Sequence, residues 1–284
     1  MTDASLSEAS FPSASLQRRR RKPDFLAWGL GLWVVLFMTF LLLPIIAVVV
    51  VSFSSATYIA FPMPGLSLRW YARIFEYRPF IDSLIVSLQI AIGSALLGIA
   101  LGVPAALWIA RSRSVFASMA ANLLLAPLSV PAIVLGFSLL YLLSWLGFGI
   151  SFNALLISHT VVSIPYITRT VLAVYRALPP DFEEAASVLG ATRWQTLRHT
   201  TLPLIRPGIF AGSLFSVLIS LDNLPLSFFF GTAQANTLPV VMLSYMQTQF
   251  DPSIAAISTV QMLIAVAALL VLNATYGIDK LTAA

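Results

Sequence analysis

Few residues of this 284-residue chain carry ionisable groups: 10% are charged and 59% hydrophobic. Two short stretches hold the side chains whose types and spacing could do chemistry. Asp222 and Asn223 lie in VLISLDNLPLSFFF, about fifteen residues into a segment that is otherwise apolar. At ~1.5 Å per helical residue, that is near or just beyond the middle of a bilayer. A carboxylate at that depth is costly unless it faces a lumen or a partner, and the neighbouring amide adds two donors and an acceptor. A carboxylate lining a path suits a cationic solute. Two other readings stay open: Asp222 pairs with a basic group of another subunit, or the span ends earlier and Asp222 is interfacial. The second stretch, EEAASVLGATRWQTLRHTTLP, begins at Glu183 and Glu184 and interrupts the apolar chain with charges and a glycine.

Most other chemistry is excluded. Cysteine is absent, so there is no disulfide framework and no thiolate metal site. His159 and His199 are far apart in the sequence, and no metal role is expected for either. Neither Lys22 nor Lys280 follows a glycine, so the chain has no phosphate loop. No set of serine, histidine and carboxylate is visible, which disfavours a membrane hydrolase. No cofactor is expected.

The elements that position these residues are apolar helices. Composition alone indicates an integral membrane protein, and long continuous apolar runs favour spanning helices over alternating barrel strands. Six spans are expected, at 26–51, 83–109, 117–143, 154–175, 208–230 and 254–276. Residues 1–25 read as a disordered basic tail, followed by a membrane domain over 26–284. A loop over 52–80 is expected to carry a short interfacial helix from Leu68, with Trp70 and Tyr71 as interfacial anchors. Proline recurs within the spans, at Pro44, Pro104, Pro127, Pro131, Pro165 and Pro225, as kinks or as breaks beside a path.

The net charge of +5 does not point to nucleic acid, because five of the sixteen basic residues form the run Arg18 to Lys22, just before the first apolar segment. With both termini in the cytoplasm, thirteen basic residues fall inside and three, Arg69, Arg73 and Arg78, outside. That asymmetry sets the orientation. Glu76, Asp82 and Asp251 are then outside, as solvated charges or contacts for a partner. Phe228, Phe229 and Phe230 read as packing side chains.

This topology puts residues 179–207 in the cytoplasm. Asp181 with Glu184 has the pattern of a capping box, and Phe182, Ala185, Ala186 and Leu189 share a helical face. Gly190 suits a left-handed C-cap. Thr192 with Gln195 starts a second piece, which Pro203 and Pro207 are expected to close. The prediction is two short helices hinged at Gly190 along the membrane surface. They are either an amphipathic pair packed on the bundle or a plug for a cytoplasmic partner.

Glu184-Ala185-Ala186, three residues, Gly190, and after a spacer Leu202-Pro203 together resemble the EAA loop of membrane subunits of binding-protein-dependent ABC importers. Thr200 stands where that pattern has Ile. LSLRWYARIF and GTAQANTLPVVMLSYMQTQFDPSIAAISTV are similar to polyamine-type permeases of this class. The resemblance implies an all-α integral membrane protein with about six transmembrane helices and a cytoplasmic coupling-helix loop, set in the lipid of a bacterial inner membrane. It implies that Glu184, Ala185, Ala186 and Gly190, with Glu183 beside them, dock a dimer of cytoplasmic ATPase subunits. It also implies a second permease subunit, homologous or identical, and an extracytoplasmic substrate-binding protein. Asp222 and Asn223 are the candidates for the substrate path. The alternatives are the same architecture with another cargo (an organic amine, phosphonate, thiosulfate or metal chelate), a self-contained secondary carrier, or a non-transporting scaffold. A secondary carrier would be expected to show inverted repeats and more ionisable residues within its spans.

Overall fold

The computed structural model describes residues 25–60, 62–112, 114–232 and 235–276. The expected N-terminal tail, except Phe25, lies outside them, as do Arg113 and Lys280. The described chain is built of α1 Phe25–Ser52, α2 Arg69–Glu76, α3 Arg78–Arg111, α4 Val115–Leu125, α5 Ala132–Trp145, α6 Phe152–Ala177, α7 Asp181–Val188, α8 Arg193–Thr196, α9 Leu202–Leu221, α10 Leu224–Phe230, α11 Leu238–Thr248 and α12 Ser253–Tyr276. It divides into two units, 1–47 and 48–284. The described part of the first is the greater part of α1, apolar on every side, as a lipid-facing helix must be.

Among the described residues, five helices are long and apolar enough to cross a membrane, or six if one bent pair counts as a span. The expected third span is that bent pair. α4 passes through a short 3-10 turn, Ala126–Ser129, and α5 leaves at 113°. Pro127 and Pro131 bracket the corner. Each lacks an N–H and biases the residue before it away from helical geometry.

The fifth span also departs from expectation. It begins about fifteen residues earlier, because α8 runs through a π turn, Leu197–Thr201, directly into α9 as one helix over Arg193–Leu221. Pro203 and Pro207 do not close the preceding piece. Pro203 sits in the first turn of α9 and Pro207 inside it. The π turn, in which the Leu202 N–H reaches the Leu197 carbonyl, widens the ladder where a proline ring would otherwise crowd a carbonyl. The span then stops at Asp222, and α10 follows with Pro225 in its first turn.

At the centre of the larger unit, α6 packs between α3 and α9, and small residues permit the close approach. Gly98 and Gly102 of α3 form a G-x-x-x-G pair, as do Gly208 and Gly212 of α9. A Cβ at Gly102 would lie 3.0 Å from Thr168 Oγ1, and one at Gly212 would lie 2.9 Å from Ile167 Cα. Val103, Ala106, Ile167, Val171 and Ile205 fill the core between the three helices.

A second core joins α2, α3, α11 and α12. Trp70, Phe80, Leu238, Tyr245 and Ile257 are buried in it. This corrects the reading of Trp70 as an interfacial anchor. Its indole N–H donates to the Ser54 carbonyl at 2.8 Å inside the protein, and Tyr71 shares a 2.7 Å hydrogen bond with Ser52. An aromatic with a polar handle satisfies either setting, and only the tertiary fold chose.

Candidate functional site

Two sets of the expected residues lie at opposite ends of α9. This helix has twenty residues, so the ends are roughly 30 Å apart.

The first set surrounds α7. The helix starts at Asp181, but Asp181 is not its N-cap. Pro180 holds that position and no side chain caps the end. Asp181, Glu183 and Glu184 instead fill the first turn, where the helix dipole favours them. At the other end the expectation holds. Gly190 has φ +83°, its N–H bonds the Ser187 carbonyl, and the Ala191 N–H bonds the Ala186 carbonyl, both at 3.0 Å. This is a Schellman termination, which needs the left-handed residue that glycine supplies. Thr192 and Gln195 then form the expected capping box.

No residue of α7 is buried. Its expected apolar face is not packed on the bundle: Phe182 and Ala185 are exposed, Leu189 just beyond the helix is 87% exposed, and Trp194 of α8 66%. Glu184 and Gly190 are exposed and Ala186 half-buried. Glu183 points the other way. Its Oε1 accepts from Arg111 Nη2 at 2.7 Å and from Thr201 Oγ1 at 2.6 Å, and Tyr175 OH lies 3.2 Å from both carboxylate oxygens. Arg111 also donates through Nε to Tyr175 OH at 3.0 Å. Burial by itself would raise the Glu183 carboxyl. Donation from Thr201 and Arg111, with the Arg111 charge, outweighs it and holds the group below its ordinary value. Glu183 is therefore ionised at neutral pH. A cavity of about 330 Å³ lies between α7 and the ends of α6 and α9, lined in part by Tyr175, Pro179, Phe182, Glu184 and Leu204.

The second set is the break between α9 and α10. Asp222 and Asn223, adjacent in sequence, face different spaces. Asn223 is buried and its Oδ1 accepts from Leu226 N at 3.2 Å, capping α10. It borders a cavity of about 230 Å³ with Pro127, Val162 and Tyr166. Asp222 is exposed and opens instead into a cavity of about 480 Å³ walled by α9, α11 and α12, which Met242, Met246, Met262 and Gln261 also line. Asp222 is the only charged residue lining that cavity, and its carboxylate has no hydrogen bond or ion pair among the described residues.

Three features here were not read from the sequence. His159, set aside as an isolated histidine, is buried in α6. Its Nδ1 pairs with Ser220 Oγ at 2.7 Å and its Nε2 with Ser227 Oγ at 3.0 Å, so one ring joins both sides of the break. Gln261 of α12 donates to the Leu221 carbonyl at 3.3 Å, taking up an acceptor that the ended helix leaves free. At the other end of α9, Arg111, Tyr175 and Thr201 come together around Glu183 from distant parts of the chain. Of the carboxylates expected outside, Asp251 is engaged within the chain: it accepts from Tyr245 OH at 2.8 Å and from the Ser253 N–H at 2.9 Å, at the start of α12. Among the described residues no cluster could hold a metal ion.

A bundle with paired glycine faces, a span broken at a carboxylate, and an acidic helix held off its end make up the fold, and solved membrane proteins share it. The chain matches a bacterial ABC transporter that imports the acidic polysaccharide alginate, with TM-score 0.70 and 18% identity over 89% of this chain and 95% of that one. It matches the MetNI methionine ABC transporter with TM-score 0.57 and 18% identity over 69% and 93%. Residues 98–278 match the family described as "Binding-protein-dependent transport system inner membrane component", and this chain belongs to it. A spermidine/putrescine transport system permease protein of Haemophilus influenzae is 31% identical over 80% of this chain and 88% of its own length. A putrescine transport system permease protein of Escherichia coli is 31% identical over 79% and 82%. A molybdenum transport system permease protein of Mycobacterium bovis is also 31% identical, over 78% and 90%. The chain is thus a multi-pass inner-membrane permease of an ABC importer.

Proposed function

We propose that this permease passes a small organic cation of the polyamine type through a path that Asp222 lines, driven by ATP hydrolysis on a separate chain docked at α7. The observation that carries the cargo class is the unpaired Asp222 carboxylate in a cavity with no other charge. An alkylammonium group meets an opposite charge there, while its methylene stem is accommodated by methionine and leucine side chains. Equal identity to polyamine and molybdenum permeases means that overall similarity does not choose the cargo. The charge of the cavity favours a cation, because a lone carboxylate attracts an ammonium group and repels an anion.

Glu184, Ala185, Ala186 and Gly190 form the docking face for an ATPase dimer, supported by the exposure of Glu184, Ala185 and Gly190 beside the unburied Val188, Leu189 and Trp194. The EAA loop and both termini lie in the cytoplasm. A second permease subunit completes the path, and an extracytoplasmic binding protein delivers the cargo from the opposite side. The lack of a phosphate loop supports a subunit that does not itself hydrolyse ATP.

The test is uptake of labelled spermidine and putrescine by proteoliposomes holding the complete importer. Asp222→Asn, which keeps the side-chain size, is expected to lower uptake about ten-fold or more, since it removes a charge-assisted contact of ~1.5–3 kcal/mol. Normal uptake by an assembled Asp222→Asn importer, or a wild-type importer that carries an oxyanion instead, refutes the cargo assignment.

A further inference from the structure

We propose that Glu183 is a positioning residue: it does not face the ATPase but clamps α7 to the three central membrane helices, so that movement of α7 is passed to them through this carboxylate as well as along the short backbone link to α8. The inference rests on the permease reading above and specifies how its docking element is attached.

The observations are local. α7 buries no residue, so apolar packing does not fix it to the bundle. Among the described residues, every hydrogen bond between its side chains and the rest of the chain is accepted by Glu183. The partners belong to separate elements: Arg111 is the last residue of α3, Tyr175 lies near the end of α6, and Thr201 closes the π turn that enters α9. The network closes on itself. Arg111 donates to the Tyr175 hydroxyl and, at 3.4 Å, to Thr201 Oγ1, and both hydroxyls direct their protons to Glu183. Such chains reinforce one another. Thr201 is 1% exposed, so its hydroxyl has no access to bulk water in place of the carboxylate. The π turn supports the assignment independently: an extra residue in a helical turn re-aims the side chains after it, and here Thr201 turns inward to Glu183. From Thr201, α9 runs without interruption to Asp222, connecting the clamp to the cavity.

The experiment uses the complete importer in proteoliposomes and measures two quantities: ATPase co-purified per permease, and solute moved per ATP hydrolysed. Glu183→Gln is expected to keep co-purified ATPase within about two-fold while solute moved per ATP falls about ten-fold, the loss of one charge-assisted contact. Thr201→Val and Tyr175→Phe, which each remove one hydroxyl and should still fold, are expected to fall about three-fold in the same ratio. The swap Arg111→Glu with Glu183→Arg should recover part of it. The clamp is overturned if the two hydroxyl variants and Glu183→Gln all transport at the wild-type ratio. It is equally overturned if uptake falls only in step with lost ATPase, which would make Glu183 a docking residue. Uptake by the wild-type permease with no ATPase present would instead remove the permease reading itself.

Discussion

The close approach of α9 to α6 makes Gly212→Ala a quantitative test of the fold. The added Cβ would lie 2.9 Å from Ile167 Cα, 3.3 Å from Thr170 Cβ and 3.4 Å from the Tyr166 carbonyl. Carbon pairs are comfortable at about 3.5–4.0 Å, so the two helices must part by at least roughly 0.6 Å there. No rotamer change relieves this, because the nearest atom is backbone. Overpacking of this kind costs ~1–3 kcal/mol. Alanine regains ~0.5–1 kcal/mol over glycine within a helix, leaving a net loss of about 1–2 kcal/mol. Gly98→Ala is the internal control. Its Cβ would lie 2.7 Å from Ile167 Cδ1, the far end of a flexible side chain, and 3.3 Å from Ser163 Cβ. The Ile167 methyl can turn away, so the cost should nearly cancel against the helical gain. The assay is the thermal unfolding midpoint of the purified importer in detergent. Gly212→Ala should fall by about 2–8 °C and Gly98→Ala should stay close to wild type. A Gly212→Ala midpoint at or above wild type, or a larger fall for Gly98→Ala, refutes the packing argument.

His159→Ala leaves the Ser220 and Ser227 hydroxyls without their shared partner, at a cost of about 1–3 kcal/mol. Hydrogen exchange over 220–227 should quicken, whereas unchanged protection would mean that the ring does not hold the break together. Gly190→Ala meets no atom within 4 Å, but Gly190 sits at φ +83°. The cost is therefore backbone alone, ~1–2 kcal/mol. ATPase co-purified with the permease should drop roughly five- to thirty-fold, with Gly190→Asn retaining more because asparagine tolerates the left-handed region. Equal recovery for both variants would show that the corner needs no such residue.

The sequence by itself determined the class of fold. Apolar runs too long for anything but spanning helices, and a polar interlude with capping patterns at Thr192 and Gly190, are local properties, and local energetics carried them through unchanged. The glycine pairs Gly98/Gly102 and Gly208/Gly212 were not read from the sequence, and their role came only with the helices they meet. The tertiary structure decided the rest. Proline marks a break without giving its angle, so the 113° corner in the third span and the continuity of α9 through Pro203 depended on neighbouring turns. Asp222 and Asn223, adjacent in sequence, were divided between two cavities because they form the break itself, one capping the end of α9 and the other the start of α10. Glu183 lies next to Glu184 in sequence, yet it turned inward while its neighbour stayed exposed. Its partners Arg111, Tyr175 and Thr201 arrive from three helices, and a contact between residues so far apart along the chain leaves no periodic trace in the sequence.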